Sequence, residues 1–201
     1  MTRARAMFRA VLPVTLALLP ALAACGGGEH DFAGYRVELV PEVGDVTLPD
    51  LTAGGADFAM AADPGKLLVV YFGYTNCPDF CPTTMSDLKF ARQRLDEPDD
   101  VQVAMVTIDP ERDLGVLADY VTSFAPDGHA LGTDDFDDLD RAAGSFGVSY
   151  QVGPAPDGSI EVSHTTSLYA VDGDGRLVMT WPFGVEVDAL ASDLAELLRE
   201  A

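Results

Sequence analysis

Sulfur is scarce in this chain: 201 residues hold three cysteines, three histidines and a single tryptophan. A four-ligand structural zinc module with two cysteine pairs is excluded, because no second pair exists. A disulfide scaffold is excluded as well, since such folds need several bridges in a short chain. Positive charge is the next shortage, with 12 Lys and Arg against 33 Asp and Glu and a formal net charge of −21. Phosphate backbones would be repelled, so nucleic acid is not an expected partner. Long apolar runs are missing too. The one candidate, Ala10 to Ala24, is broken by Pro13 and Pro20 and falls short of the about 20 residues a spanning helix needs.

That apolar run has the form of a targeting signal. Arg3, Arg5 and Arg9 precede it, and it ends Leu22-Ala23-Ala24-Cys25 before Gly26-Gly27-Gly28. Small residues followed at once by cysteine resemble a bacterial lipobox, in which Cys25 becomes the lipidated first residue. The expectation is a lipoprotein signal peptide over 1–24, a lipidated flexible tether over 25–34 and one folded domain over 35–201. Loss of the signal removes three of the twelve basic residues, leaving a mature net charge near −24. A lipid anchor would hold the domain on the extracytoplasmic face of the cell membrane without crossing it.

Two thiols then remain, both in one short stretch. Leu67 to Phe72 reads as a strand covered on both faces and empties into Gly73-Tyr74-Thr75-Asn76 and Cys77-Pro78-Asp79-Phe80-Cys81-Pro82. Pro82, Met85, Leu88, Ala91 and Leu95 keep helical spacing, so a helix is predicted from about Pro82 to Arg94. A helix start favours negative charge, and thiols placed there ionise readily. Thiolates attack disulfides and also bind soft metals. A bridge across three residues restrains the unfolded chain little, so a purely structural role is weakly motivated.

Further along, a second buried strand is expected at Val101 to Ile108, a helix at Leu114 to Phe124, a short strand at Ala130 to Gly132 and a helix at Phe136 to Phe146 capped by Asp134 or Asp135. Residues 36–40 and 45–48 read as short strands, 50–57 as loop, and 150–153 as extended. Thr165 to Val171 and Leu177 to Trp181 form a hairpin across Asp172-Gly173-Asp174-Gly175, and Val187 to Glu200 closes the chain as a helix. The fold class is α/β. The order resembles the thioredoxin-like fold: a central sheet with helices on both faces, an N-terminal β extension and an insertion before the C-terminal hairpin. Ligands in such a sheet sit beyond the carboxyl ends of the strands, where Cys77 lies.

His30, in the tether, and His129, in a loop, are expected to be solvated. His164 stands at the entry to the hairpin strand, where thioredoxins carry a cis-proline facing the thiol pair; no proline occupies that point here. Two thiolates and an imidazole suit copper in either oxidation state and leave a position open for exchange.

Three motifs now carry a resemblance. Phe72-Gly73-Tyr74-Thr75-Asn76-Cys77-Pro78-Asp79-Phe80-Cys81-Pro82, Thr107 to Asp113, and Ser163-His164-Thr165 with Tyr169 resemble the Sco/SenC family over about residues 35 to 200. The resemblance implies a membrane-anchored, thioredoxin-like copper chaperone, with Cys77, Cys81 and His164 as metal ligands. It also implies a partner, cytochrome c oxidase subunit II or another respiratory oxidase subunit, whose binuclear copper site receives copper, or whose cysteines are reduced, and an upstream copper donor. On that reading the protein is a metallochaperone rather than an enzyme. The alternative is a thiol:disulfide oxidoreductase, in which Cys77 attacks and Cys81 resolves. Where the family commonly has Asp before the histidine, this chain has Ser163; Asp109 is the candidate substitute for orienting the ring. Phe80 is expected to shield the thiols from water. The Asp172 to Gly175 run departs from a calcium loop at Arg176 and Leu177 and reads as a turn.

Overall fold

The computed structural model describes residues 30–201; the signal segment, Cys25 and the tether up to Glu29 lie outside the described residues. Among the described residues no helix is long and apolar enough to cross a membrane. The strands are β1 Tyr35–Arg36, β2 Thr47–Asp50, β3 Ala56–Ala59, β4 Leu67–Gly73, β5 Val101–Thr107, β6 His129–Leu131, β7 Tyr150–Pro154, β8 Ile160–His164, β9 Leu168–Val171 and β10 Leu177–Trp181. The helices are α1 Phe80–Arg92, α2 Pro110–Asp113, α3 Leu117–Phe124, α4 Phe136–Ser145 and α5 Val187–Glu200.

Eight strands form one sheet in the order β1-β10-β9-β4-β5-β6-β2-β3, and β7 pairs with β8 in a separate ribbon. β4, β5 and β6 run parallel, while β9 lies antiparallel to β4 on its other side. Every residue of β4 is buried. Its alternation splits the core in two: Leu67, Val69 and Tyr71 meet α1, α3 and α5, while Leu68, Val70 and Phe72 meet α4 and the β2 side. Strand periodicity of two makes this division inevitable once both faces are covered. The expected central sheet with helices on both faces is thus present.

Several local expectations shift. α1 begins at Phe80, two residues early, so Cys81 is its second residue. The helix expected over 114–124 starts later, at Leu117, as α3, and a separate single turn, α2, precedes it within 110–113. β3 pairs with β2 inside a stretch read mainly as loop, because Gly54 and Gly55 take positive φ and turn the chain back. β9 starts at Leu168 rather than Thr165, and β8, read as no element, carries His164 at its end.

Neither peripheral histidine is free in solvent; both are only partly exposed and paired with carboxylates. His129 Nδ1 lies 2.8 Å from the buried carboxylate of Asp50, which also accepts from Thr52 N, Thr52 Oγ1 and Ala130 N. His30 Nε2 lies 2.9 Å from Asp193, so the tether is docked from His30 onward. At α4 the cap is Asp135, whose side chain accepts from the N–H groups of Asp137 and Asp138. Asp135→Ala is expected to lower the unfolding free energy by about 1 kcal/mol, and Asp134→Ala by less than about 0.5 kcal/mol, in urea titrations followed by circular dichroism.

Candidate metal centre

β4 ends against β5 at Gly73, and the next six residues carry the chain across to α1. A Cβ at Gly73 would lie 2.6 Å from Tyr71 Cε1 and 3.1 Å from Cys81 Sγ, so only glycine leaves room for the second thiol. The connecting loop is pinned by Asp113, a wholly buried carboxylate at the end of α2. It accepts from Thr75 N at 2.9 Å, Thr75 Oγ1 at 2.5 Å and Thr107 Oγ1 at 2.6 Å. Three donors are enough to hold a buried charge.

Cys77 and Cys81 are both reduced and buried. The backbone N–H of Cys81, at the open end of α1, donates to Cys77 Sγ at 3.3 Å. Burial opposes ionisation of Cys77, yet the N–H groups of Cys81 and Asp79, with the Cys81 thiol and the Tyr74 hydroxyl, outweigh it and hold this thiol below its usual range. Cys81 lies deeper. Burial pushes it up to about 12, although Tyr71 Oη donates to its sulfur at 3.4 Å. One pair therefore contains a thiol poised to ionise and a thiol that stays protonated until something displaces its proton.

His164 arrives from the β7–β8 ribbon, in register with Tyr150. Its Nδ1 lies 2.8 Å from the carbonyl oxygen of Thr165. A carbonyl only accepts, so Nδ1 carries the proton and Nε2 presents its lone pair. Nε2 stands 3.8 Å from Cys81 Sγ. Burial lowers the imidazole's proton affinity, partly offset by the Thr165 carbonyl, so the ring is neutral near pH 7. The rings of Tyr71 and Tyr74 stand edge-on to it at 6.2 and 5.9 Å between centroids.

The 3.8 Å between Cys81 Sγ and His164 Nε2 is the separation expected of two ligands about 120° apart with bonds of about 2.3 and 2.1 Å. No hydrogen bond links His164 to Cys77. Among the described residues no three His, Cys, Asp or Glu side chains are already closed around a metal position. Gripping copper with all three side chains would thus require them to draw closer together.

Asp109 does not orient the ring. It is buried in a pair with Arg112, and the Thr165 carbonyl has the task instead. Ser163 points to solvent, so the absent carboxylate costs the imidazole nothing. Phe80 is no shield: it is half-exposed and packs edge-on against Phe183 at 4.8 Å. The roles of Tyr71, Thr165 and Asp113 escaped the sequence reading, although Thr165 and Asp113 lie inside the motifs it singled out. Tyr71 looks like one more apolar strand residue, although its parity with Leu67 and Val69 already aimed it at α1.

A sequence profile of the SCO1/SenC family matches residues 51–199. The chain belongs to the SCO1/SenC family. The human mitochondrial SCO1 homologue is 32% identical over 143 residues, covering 67% of this chain and 46% of that one. The aligned part is thus under half the length of that relative. The solution structure of apo Sco1 from Thermus thermophilus superposes with a TM-score of 0.70 at 32% identity, covering 87% of this chain and all of that one. Arabidopsis thaliana ScoI with copper bound superposes at 0.69 and 25% identity, covering 79% and 99%. The thioredoxin-like Sco architecture accounts for the sheet order and for the histidine arriving from an inserted ribbon.

Removing Asp113 from this Sco domain leaves three donors without their acceptor. Asp113→Ala is expected to cost about 2–4 kcal/mol in urea unfolding. The difference between the thiols should also be visible directly. At pH 8, iodoacetamide is expected to modify Cys77 well before Cys81, as read by mass spectrometry of the two labelled sites.

Proposed function

We propose that this protein is a membrane-anchored, extracytoplasmic copper chaperone for cytochrome c oxidase assembly, a metallochaperone rather than an enzyme. Its cargo is copper, held by Cys77, Cys81 and His164, and Cys25 carries the lipid. The recipient is the binuclear copper site of oxidase subunit II, or of another respiratory oxidase subunit, and copper comes from an upstream donor.

The observation that carries the reading is His164 Nε2, its lone pair aimed at Cys81 Sγ from 3.8 Å because Nδ1 is tied to the Thr165 carbonyl. A pure dithiol oxidoreductase has no need of a neutral imidazole in that position. Soft thiolates beside such an imidazole form a donor set that suits Cu(I) and Cu(II). Three ligands without a fourth leave room for a recipient's ligand to enter, so transfer can proceed through a shared intermediate. Support also comes from the family and from the copper held by the Arabidopsis structure.

Loading must expel the proton of Cys81, whose thiol is held up at about 12. The sign follows: protons compete with the metal, so copper affinity rises with pH below that value. The asymmetry of the thiols favours a second activity at the same site, reduction of the recipient's cysteines. Cys77 would attack a disulfide and Cys81 would close on it, leaving the domain oxidised and the recipient reduced.

The test is a copper titration of the reduced protein. One copper per chain is expected, with affinity falling at least about 100-fold in His164→Ala and lost in the Cys77–Cys81 disulfide form. Unchanged copper affinity in His164→Ala, with a shifted dithiol potential, would assign the protein to thiol–disulfide exchange alone.

A further inference from the structure

We infer that the sheet edge built from β1, β10 and α5 is the surface this domain turns to the membrane, latched there by Asp193. The inference rests on the proposal that Cys25 carries a lipid.

Asp193 is the most heavily used carboxylate on that edge. It lies on α5 and is 1% exposed. It accepts from Gly34 N at 2.9 Å, Ala33 N at 3.3 Å, Trp181 Nε1 at 2.8 Å and His30 Nε2 at 2.9 Å. The segment it holds has no freedom to drift. A Cβ at Gly34 would meet Trp181 Nε1 at 2.5 Å, so the backbone passes in contact with the indole. Phe32 packs on the core, the Arg36 guanidinium lies 4.3 Å above its ring, and Arg36 also grips Glu200 of α5.

The leash is correspondingly short. From Cys25 to His30 there are five Cα steps, which span about 18 Å when fully extended. A lipid at Cys25 therefore keeps this edge, rather than any other part of the domain, close to the headgroups. The surface itself agrees. Tyr35, Leu39 and Val40 are 68%, 91% and 43% exposed. The chain through 37–41 runs beside β10, with Val37 N donating to Val178 O and Leu177 N to Pro41 O. Exposed apolar side chains close in sequence, interspersed with the exposed Arg36 and Glu38 and next to the point where an anchored chain enters the fold, fit an interfacial layer. Because the protein is strongly acidic, the contact is apolar and does not call for anionic lipid.

A consequence for copper transfer follows from the strand order. β4, which delivers the thiols, is fourth from this edge, about 14 Å in at about 4.8 Å per strand. The thiols lie at a strand end, so they open along the plane of the membrane. A recipient mounted on the same bilayer can meet them laterally.

The experiment uses the full chain, processed and lipidated by the cell, isotopically labelled and placed in phosphatidylcholine nanodiscs with gadolinium-chelate headgroups. Amides of 34–39, 178–181 and 190–198 are expected to broaden several-fold more than those of β2 and β3 at the opposite edge. Leu39→Ser with Val40→Ser, both on the exposed face and harmless to the core, should flatten that gradient. Asp193→Ala should do the same while circular dichroism reports the domain still folded. A flat or reversed gradient with lipid present on Cys25 would overturn the membrane face and leave the anchor standing. Mass spectrometry showing no lipid on Cys25 would overturn the anchor and the face together. A dimer in detergent that Leu39→Ser dissolves would give this edge to a second copy and likewise end the proposal.

Discussion

Asp113 holds the centre of this molecule together. Its carboxylate joins the end of β5, through Thr107, to the loop after β4, through both polar groups of Thr75. Everything chemical hangs from that loop. Cys77 lies two residues beyond Thr75, and α1 begins three residues after Cys77. With the loop fixed, the first N–H groups of α1 point at Cys77, and Cys81 is driven under the end of the sheet against Tyr71. A buried carboxylate with three good donors is a rigid joint, because releasing any donor leaves a buried group unpaired.

From that joint comes the unequal pair of thiols. Helix N–H groups stabilise negative charge on Cys77, while depth and an apolar surround keep Cys81 protonated. The proposed metal capture and thiol exchange would both use this inequality: the less buried sulfur would engage first, and the recessed one would complete the process. His164 decides what else the pair can do. The Thr165 carbonyl fixes its tautomer and so leaves the Nε2 lone pair facing Cys81.

Other carboxylates repeat the device at the periphery. Asp50 gathers Thr52, Ala130 and His129 where β2 meets β6, and Asp193 gathers the incoming chain and the one tryptophan. Among the described residues five aspartates are buried, and three of them, Asp50, Asp113 and Asp193, act as joints.

Reading the chain alone was enough for the family and the fold class. The thiol pair stood in a run whose apolar strand and helical spacing place it at a strand end, and a lone histidine followed near a second strand. Those are local patterns: periodicity, proline position and turn residues act within a few neighbours. The partners that tune the site were not legible, because they depend on long-range contacts, as at Asp113, or on the direction the folded backbone gives a neighbouring carbonyl, as at Thr165. Nothing near Asp113 marks it as the acceptor for Thr75, 38 residues away, and nothing near Asp193 points to His30, 163 residues away. Asp109 was the reasonable sequence choice for orienting the imidazole; only the folded backbone supplied a nearer carbonyl. The candidate donor types were thus written in the primary structure. Their protonation, their spacing and the seating of the tether were decided by packing, since only a closed core brings distant groups within hydrogen-bonding range.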